Sequence, residues 1–300
     1  MAKRGKPVFG RVLTAAVTPF NSHGAVDYGA ALRLLKYLQP QCDGIVVAGT
    51  TGEGPTLTDK ERLGLVSFYK EHARRGFHIV ANIGSNDTGE SVRLARAAAK
   101  AGADGLMAVG PYYNKPNADG QLAHFTKVAD ATELPVMLYN IPGRTGLRVA
   151  HDVIVELAGT TRVCAVKDAT ADLEGTARLR SQTLSGFDIY SGDDSLTLPM
   201  LAVGGCGVVS VASHLIGRDI GEMIDAYNAG DVNTAREIHL HFLELMTELF
   251  MTTNPIPVKA AMARLGVVEE RYRLPMTPLN DQLAMRLDSL LREYEFIKHA

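Results

Sequence analysis

Short apolar runs alternate with helical patterns eight times along this chain, at intervals of about 25 to 30 residues. The runs cover residues 12–18, 44–48, 78–83, 105–109, 136–139, 161–166, 188–190 and 207–211. Between them, residues 28–38, 59–74, 88–101, 119–132, 150–158, 172–184 and 195–203 carry helical apolar spacing. Asp27 is placed to cap the first of these helices, and Thr58 with Glu61 three residues on reads as a capping box for the second. Parallel strands covered by helices on both faces read as continuous apolar runs, as these do. Eight βα units close into a barrel. An open doubly wound sheet normally carries GxGxxG after its first strand, and this chain has none. Helical stretches at 219–229, 232–250, 257–265 and 279–297 exceed what the eighth unit needs. The expected architecture is α/β, a (β/α)8 TIM barrel over residues 1–228 with a small C-terminal helical region over 229–300 and no flexible linker between them.

Composition narrows the function classes. With 300 residues, 46% of them hydrophobic, and a net charge of −2, the chain builds no strong field toward nucleic acid or an anionic membrane. The apolar run at 12–17 meets Pro19 too soon to span a bilayer, and no signal-peptide pattern is present. Cys42, Cys164 and Cys206 lie far apart in apolar contexts, which suits reduced thiols and a cytoplasmic setting. No metal and no cofactor are expected. His239 and His241 do not share a helix face, His151 and His214 are isolated, and Asp193 reads as a loop residue accepting backbone N–H bonds. The glycines at 204–207 either bind phosphate or let a helix and a strand approach closely.

The polar residues gather where a barrel would open. Thr50, Thr51 and Glu53 follow the second strand, and Tyr112, Tyr113 and Asn114 the fourth. Tyr139, Asn140 and Arg144 follow the fifth, Gly192 and Asp193 the seventh, and Ser210 lies on the eighth. Lys167 ends the sixth, in VCAVKDAT. A lysine there must snorkel, pair with an acid, or lose its charge through burial. The last course yields an amine able to form a Schiff base with a carbonyl compound. The surrounding groups suit that chemistry. Backbone N–H groups in the glycine-rich loop 49–54 can hold a carboxylate, and Thr50, Tyr113 and Tyr139 can relay a proton. Arg144 offers a bidentate grip on a second carboxylate.

GTTGE at 49–53, PYYNKP at 111–116, YNIPGRTG at 139–146, VKDAT at 166–170 and SGDD at 191–194 together make the chain resemble the dihydrodipicolinate synthase branch of the pyruvate-dependent class I aldolase superfamily. The resemblance runs from Val12 through the C-terminal helices. It implies that Lys167 forms a Schiff base with pyruvate, whose enamine attacks L-aspartate 4-semialdehyde. Cyclisation with loss of the lysine link would then release 4-hydroxy-tetrahydrodipicolinate, a step of lysine biosynthesis. It further implies that Thr50, Tyr113 and Tyr139 relay protons, with Tyr113 serving the neighbouring subunit. Thr51 would contact the pyruvate carboxylate, Arg144 would receive the semialdehyde, and Gly192 and Val209 would line the pyruvate pocket. The implied assembly is a homotetramer built as a dimer of dimers. The sialic-acid lyase branch generally lacks an arginine at the place of Arg144. The competing readings are a pyruvate aldolase acting on a sugar-derived 2-keto-3-deoxy acid and a non-catalytic barrel that binds keto acids. Members inhibited by L-lysine carry a serine and histidines just after GTTGE. Gly54, Pro55, Asp59 and Arg62 stand there in this chain, while Asn86, Glu90 and Tyr112 match, so weak or absent inhibition is expected.

Overall fold

The computed structural model describes residues 6–298. Eight parallel strands close into a barrel in sequence order. They are β1 (Val12–Ala15), β2 (Gly44–Val47), β3 (His78–Asn82), β4 (Gly105–Val109), β5 (Val136–Asn140), β6 (Val163–Asp168), β7 (Asp188–Ser191) and β8 (Gly207–Ser210). The helices between and after them are α1 (Tyr28–Leu38), α2 (Asp59–His72), α3 (Thr88–Lys100), α4 (Ala118–Ala129), α5 (Pro142–Thr145), α6 (His151–Thr160), α7 (Leu173–Gln182), α8 (Thr197–Ala202) and α9 (Ser213–Ala229). Three more helices, α10 (Val232–Glu248), α11 (Ile256–Arg264) and α12 (Asp281–Glu293), follow the barrel.

The local signals act as their chemistry requires. Asp27 accepts the Ala30 N–H, and the Thr58 capping box forms with both of its bonds. β6 runs two residues past the expected end, because Lys167 and Asp168 still pair with β5 and β7. β1 stops three residues short, because its pairing with β2 and β8 ends at Ala15 and Thr14, with one further bond from the Ala16 N–H to the Val46 carbonyl at 3.1 Å. The short helix α5 was not legible as a separate element. It opens on Pro142 and closes on Gly146 at φ 70°. α9 starts earlier than the pattern at 219 suggests and is broken at Ile216 (φ −121°, ψ 33°).

Alternation along the strands builds two cores. Leu13, Val46, Val80, Met107, Met137, Ala165 and Val209 fill the barrel, with Phe9 in the same cluster. A second, larger cluster lies between the strands and the helices, and it continues without a break into Leu245, Val258 and Leu287 of α10, α11 and α12. The C-terminal helices are thus packed on the barrel by the same apolar layer that holds α1 to α4 and α6 to α9. Close approach explains Gly207, where a Cβ would fall 2.1 Å from the Arg11 carbonyl oxygen.

Candidate active site

Lys167 owes its direction to the pleat of β6. Ala165 belongs to the inner core and Val166 to the outer one, so the next residue turns inward. Asp168 turns outward again, and its carboxylate accepts the Thr170 N–H at 3.0 Å and the Thr176 hydroxyl at 3.1 Å. Tyr139 on β5 is directly in register with Lys167. The amine Nζ lies 4.2 Å from the centre of the Tyr139 ring. Among the described residues no carboxylate comes within ion-pair distance of it.

Thr50, Thr51, Tyr139, Arg144, Lys167 and Gly192 border a cavity of about 50 Å³ at the mouth of the barrel. A Cβ on Gly192 would meet Ala169 Cβ at 2.7 Å, so only glycine lets this loop lie against the end of β6. Above the cavity, an outer chamber of about 270 Å³ shares Thr50, Tyr139 and Arg144 with it and adds Arg62 and Tyr112. The loop after β2 curls between two left-handed residues, Ala48 at φ 57° and Glu53 at φ 52°. Among the described residues the N–H groups of Thr50 and Thr51 donate to no other group, although Thr51 is 2% exposed. Unpartnered buried N–H groups are rare in folded proteins. Thr50 and Thr51 both border the cavity, and two successive free N–H groups on such a turn can seat a carboxylate.

Electrostatics fit the amine for attack. Burial lowers the Lys167 pKa to about 8, with Arg144 pushing the same way and Asp194 opposing. At pH 7.5 about a quarter of such an amine is free, against about 0.1% for an ordinary lysine. Burial raises the Tyr139 phenol to about 12, partly offset by Arg144 and by the Thr50 hydroxyl. It therefore stays a proton donor at neutral pH. Lys259 is a useful contrast. Burial lowers its pKa to about 8 too, yet its amine is locked against Glu53 and has no place on the cavity wall. Depressed basicity alone does not make a nucleophile; an open cavity beside it is also needed.

Not every expected residue falls here. Tyr113 is 89% exposed at the tip of the β4–α4 connection, with φ 69°, and borders neither cavity. Val209 lies in the inner core, while Val211, two residues nearer the mouth, lines the cavity. Asn254 escaped the sequence reading, and Asp194 entered it only as part of SGDD, with no role of its own. Asn254 donates to Thr51 Oγ1 at 3.0 Å, and its carbonyl accepts from Arg144 at 3.4 Å. Asp194 is buried, accepts the Val211 and Ala212 N–H groups at 3.0 and 2.9 Å, and bears on the charge of Lys167. Asp193 accepts the Ser195 N–H at 3.1 Å, as its loop position suggested. His214 is a structural tie between Val17 and Val211, and no cluster of metal-binding side chains occurs among the described residues.

A parallel barrel carrying at its mouth a buried amine that is partly neutral near pH 7.5 defines an enzyme of the class I aldolase type, a lyase. The chain belongs to the dihydrodipicolinate synthetase family, whose sequence model matches residues 8–294. It is 44% identical over 291 residues to the 4-hydroxy-tetrahydrodipicolinate synthase of Oceanobacillus iheyensis, covering 97% of this chain and 99% of that one. It is 49% identical over 281 residues to the protein of the same name from Parasynechococcus marenigrum, covering 93% of each. The crystal structure of DHDPS from Cyanidioschyzon merolae with lysine bound superposes with a TM-score of 0.95 at 43% identity, covering 97% of this chain and all of that one.

Proposed function

We propose that Lys167 is the nucleophile of this enzyme. The chain condenses pyruvate with L-aspartate 4-semialdehyde to 4-hydroxy-tetrahydrodipicolinate in lysine biosynthesis. The neutral Lys167 amine adds to the pyruvate carbonyl, and water leaves to give the imine. Loss of a proton from the methyl group gives an enamine, which forms the new carbon–carbon bond with the aldehyde. The amino group of the second substrate then attacks the imine carbon, closes the ring and expels the lysine amine. Tyr139, held protonated, donates to the departing oxygen, and Thr50 beside it passes protons toward solvent. The Thr50–Thr51 turn seats the pyruvate carboxylate, with Gly192 opening room at the far wall. Arg144, exposed at the rim, receives the carboxylate of the semialdehyde. Tyr113 reaches the site of a second copy of the chain, within a tetramer arranged as a dimer of dimers.

The observation that carries this reading is a desolvated, unpaired amine facing a small cavity beside two free N–H groups. Borohydride added to enzyme and pyruvate should leave a carboxyethyl group on Lys167 and none on Lys259, located by peptide mass spectrometry. Active, folded enzyme that carries no such group on Lys167 overturns the assignment.

A further inference from the structure

The C-terminal helices reach back to the β2 loop through two buried charges. Lys259 on α11 pairs with Glu53, and the two side chains are 0% and 1% exposed. Each end is held again. Glu53 Oε2 accepts the Arg273 N–H at 3.0 Å, and Lys259 Nζ donates to the Arg271 carbonyl at 2.7 Å. The amine also lies 4.3 Å from the centre of the Phe20 ring. An apolar pair of similar volume would hold α11 on the barrel at least as firmly. Charges add direction instead, because each carboxylate oxygen has its own donor. Glu53 is the residue that ends the loop, in a left-handed conformation that side chains adopt reluctantly. Five residues before Lys259, Asn254 grips the same loop at Thr51. Thr51 and Glu53 are thus both fixed from outside the barrel, and the Thr50–Thr51 turn lies where the loop is held.

We propose that Lys259 and Glu53 are positioning residues for the substrate carboxylate: their ion pair sets the direction of the Thr50 and Thr51 N–H groups, so the C-terminal helical region builds one wall of the pyruvate site. This rests on the reading that the loop seats that carboxylate. Neither residue touches substrate. Each acts through the loop backbone.

The test compares borohydride trapping of pyruvate and of acetone, the same ketone without its carboxylate, at Lys167. Lys259→Met is measured first. The double variant Glu53→Gln/Lys259→Met leaves no lone buried charge and serves where the single variant does not fold. The pyruvate concentration giving half-maximal trapping should rise about tenfold, with acetone trapping unchanged, because only the carboxylate seat is disturbed. A change in stability alone would not move that selectivity. Thr51→Val, run alongside, removes the hydroxyl that lies at the seat and that Asn254 holds; it examines the underlying reading and should also raise the pyruvate requirement. If Thr51→Val does so and the folded ion-pair variants trap pyruvate as the parent does, the positioning role is wrong and the carboxylate seat stands. If none of the variants changes pyruvate trapping, the seat is misplaced and the inference falls with it. Equal loss for pyruvate and acetone also overturns it, since the disturbance then lies at the amine.

Discussion

At the scale of single residues, Lys167 is a liability that the fold tolerates. Its pKa is about 8 in the folded protein, chiefly through burial, against about 10.4 in an unfolded chain. Below pH 8 both states are charged, and the folded state bears the whole desolvation penalty. Between about 8 and 10.4 the unfolded state holds more protons, so stability rises with pH as the penalty fades. The difference corresponds to roughly 3 kcal/mol. Lys167→Met should therefore raise stability by about 1–3 kcal/mol at pH 7, a gain of roughly 2–5 °C in Tm. By pH 10 the gain should shrink to less than about a third. Thermal melts of parent and variant at the two pH values check this, and a gain that does not shrink would place its origin elsewhere. The lysine itself was visible in the sequence because an ionisable group stands out in a valine-rich run. The roles of Asp194 and Asn254 were not. Asp194 bonds to Val211 and Ala212, 17 and 18 residues on at the end of the neighbouring strand, and Asn254 bonds to Thr51, 203 residues back, so both contacts exist only once the chain has folded. Asn254 stands in an Asn-Pro pair, a turn signal that carries no hint of what such a turn holds.

At the scale of elements, caps and apolar periods were legible because they are local, whereas strand ends depend on neighbours. β6 extends to Asp168 only because β5 and β7 offer partners there. The α2–α3 corner shows what local chemistry adds to function. Arg62 on α2 donates to the Asn82 carbonyl at 2.9 Å and to the Gly54 carbonyl at 3.2 Å, on the wall of the outer chamber. On α3, Arg93 engages both Asp59 and Glu90. An incoming L-lysine would meet a guanidinium where its own ammonium gains nothing, and a Glu90 carboxylate that already has a cation. Inhibition by L-lysine should be weak or absent. A titration at fixed pyruvate and semialdehyde checks this, and half-inhibition at submillimolar lysine would contradict it. Arg62→His combined with Arg93→Ala removes two guanidinium groups and frees the Asp59 and Glu90 carboxylates, and should increase sensitivity.

For the whole molecule, we propose the division between barrel and C-terminal region at 228/229, one residue before the end of α9, which the left-handed Gly230 closes. The division concerns chain order more than stability, because one apolar layer joins the two parts. The other feature at this scale is Tyr113. Among the described residues, a phenol 89% exposed at φ 69° makes no ring contact within its own chain. A backbone conformation that costs free energy is maintained there by the surrounding turn, in which the Asn114 N–H meets the Tyr112 carbonyl at 2.8 Å and the Asn114 side chain donates to the Asn86 carbonyl at 2.8 Å. A fixed, projecting phenol is suited to a cavity on another copy. Mixed subunits distinguish this from action within one chain. Tyr113→Phe and Lys167→Ala should each be nearly inactive alone. Unfolded together and refolded, about half of the dimers should be hybrids. In a hybrid, the subunit that keeps Lys167 borrows Tyr113 from the lysine-deficient partner, so one complete site forms. Random pairing then restores about a quarter of parental activity. If Tyr113 served its own chain, no subunit in any hybrid would hold both residues, and mixing would restore nothing.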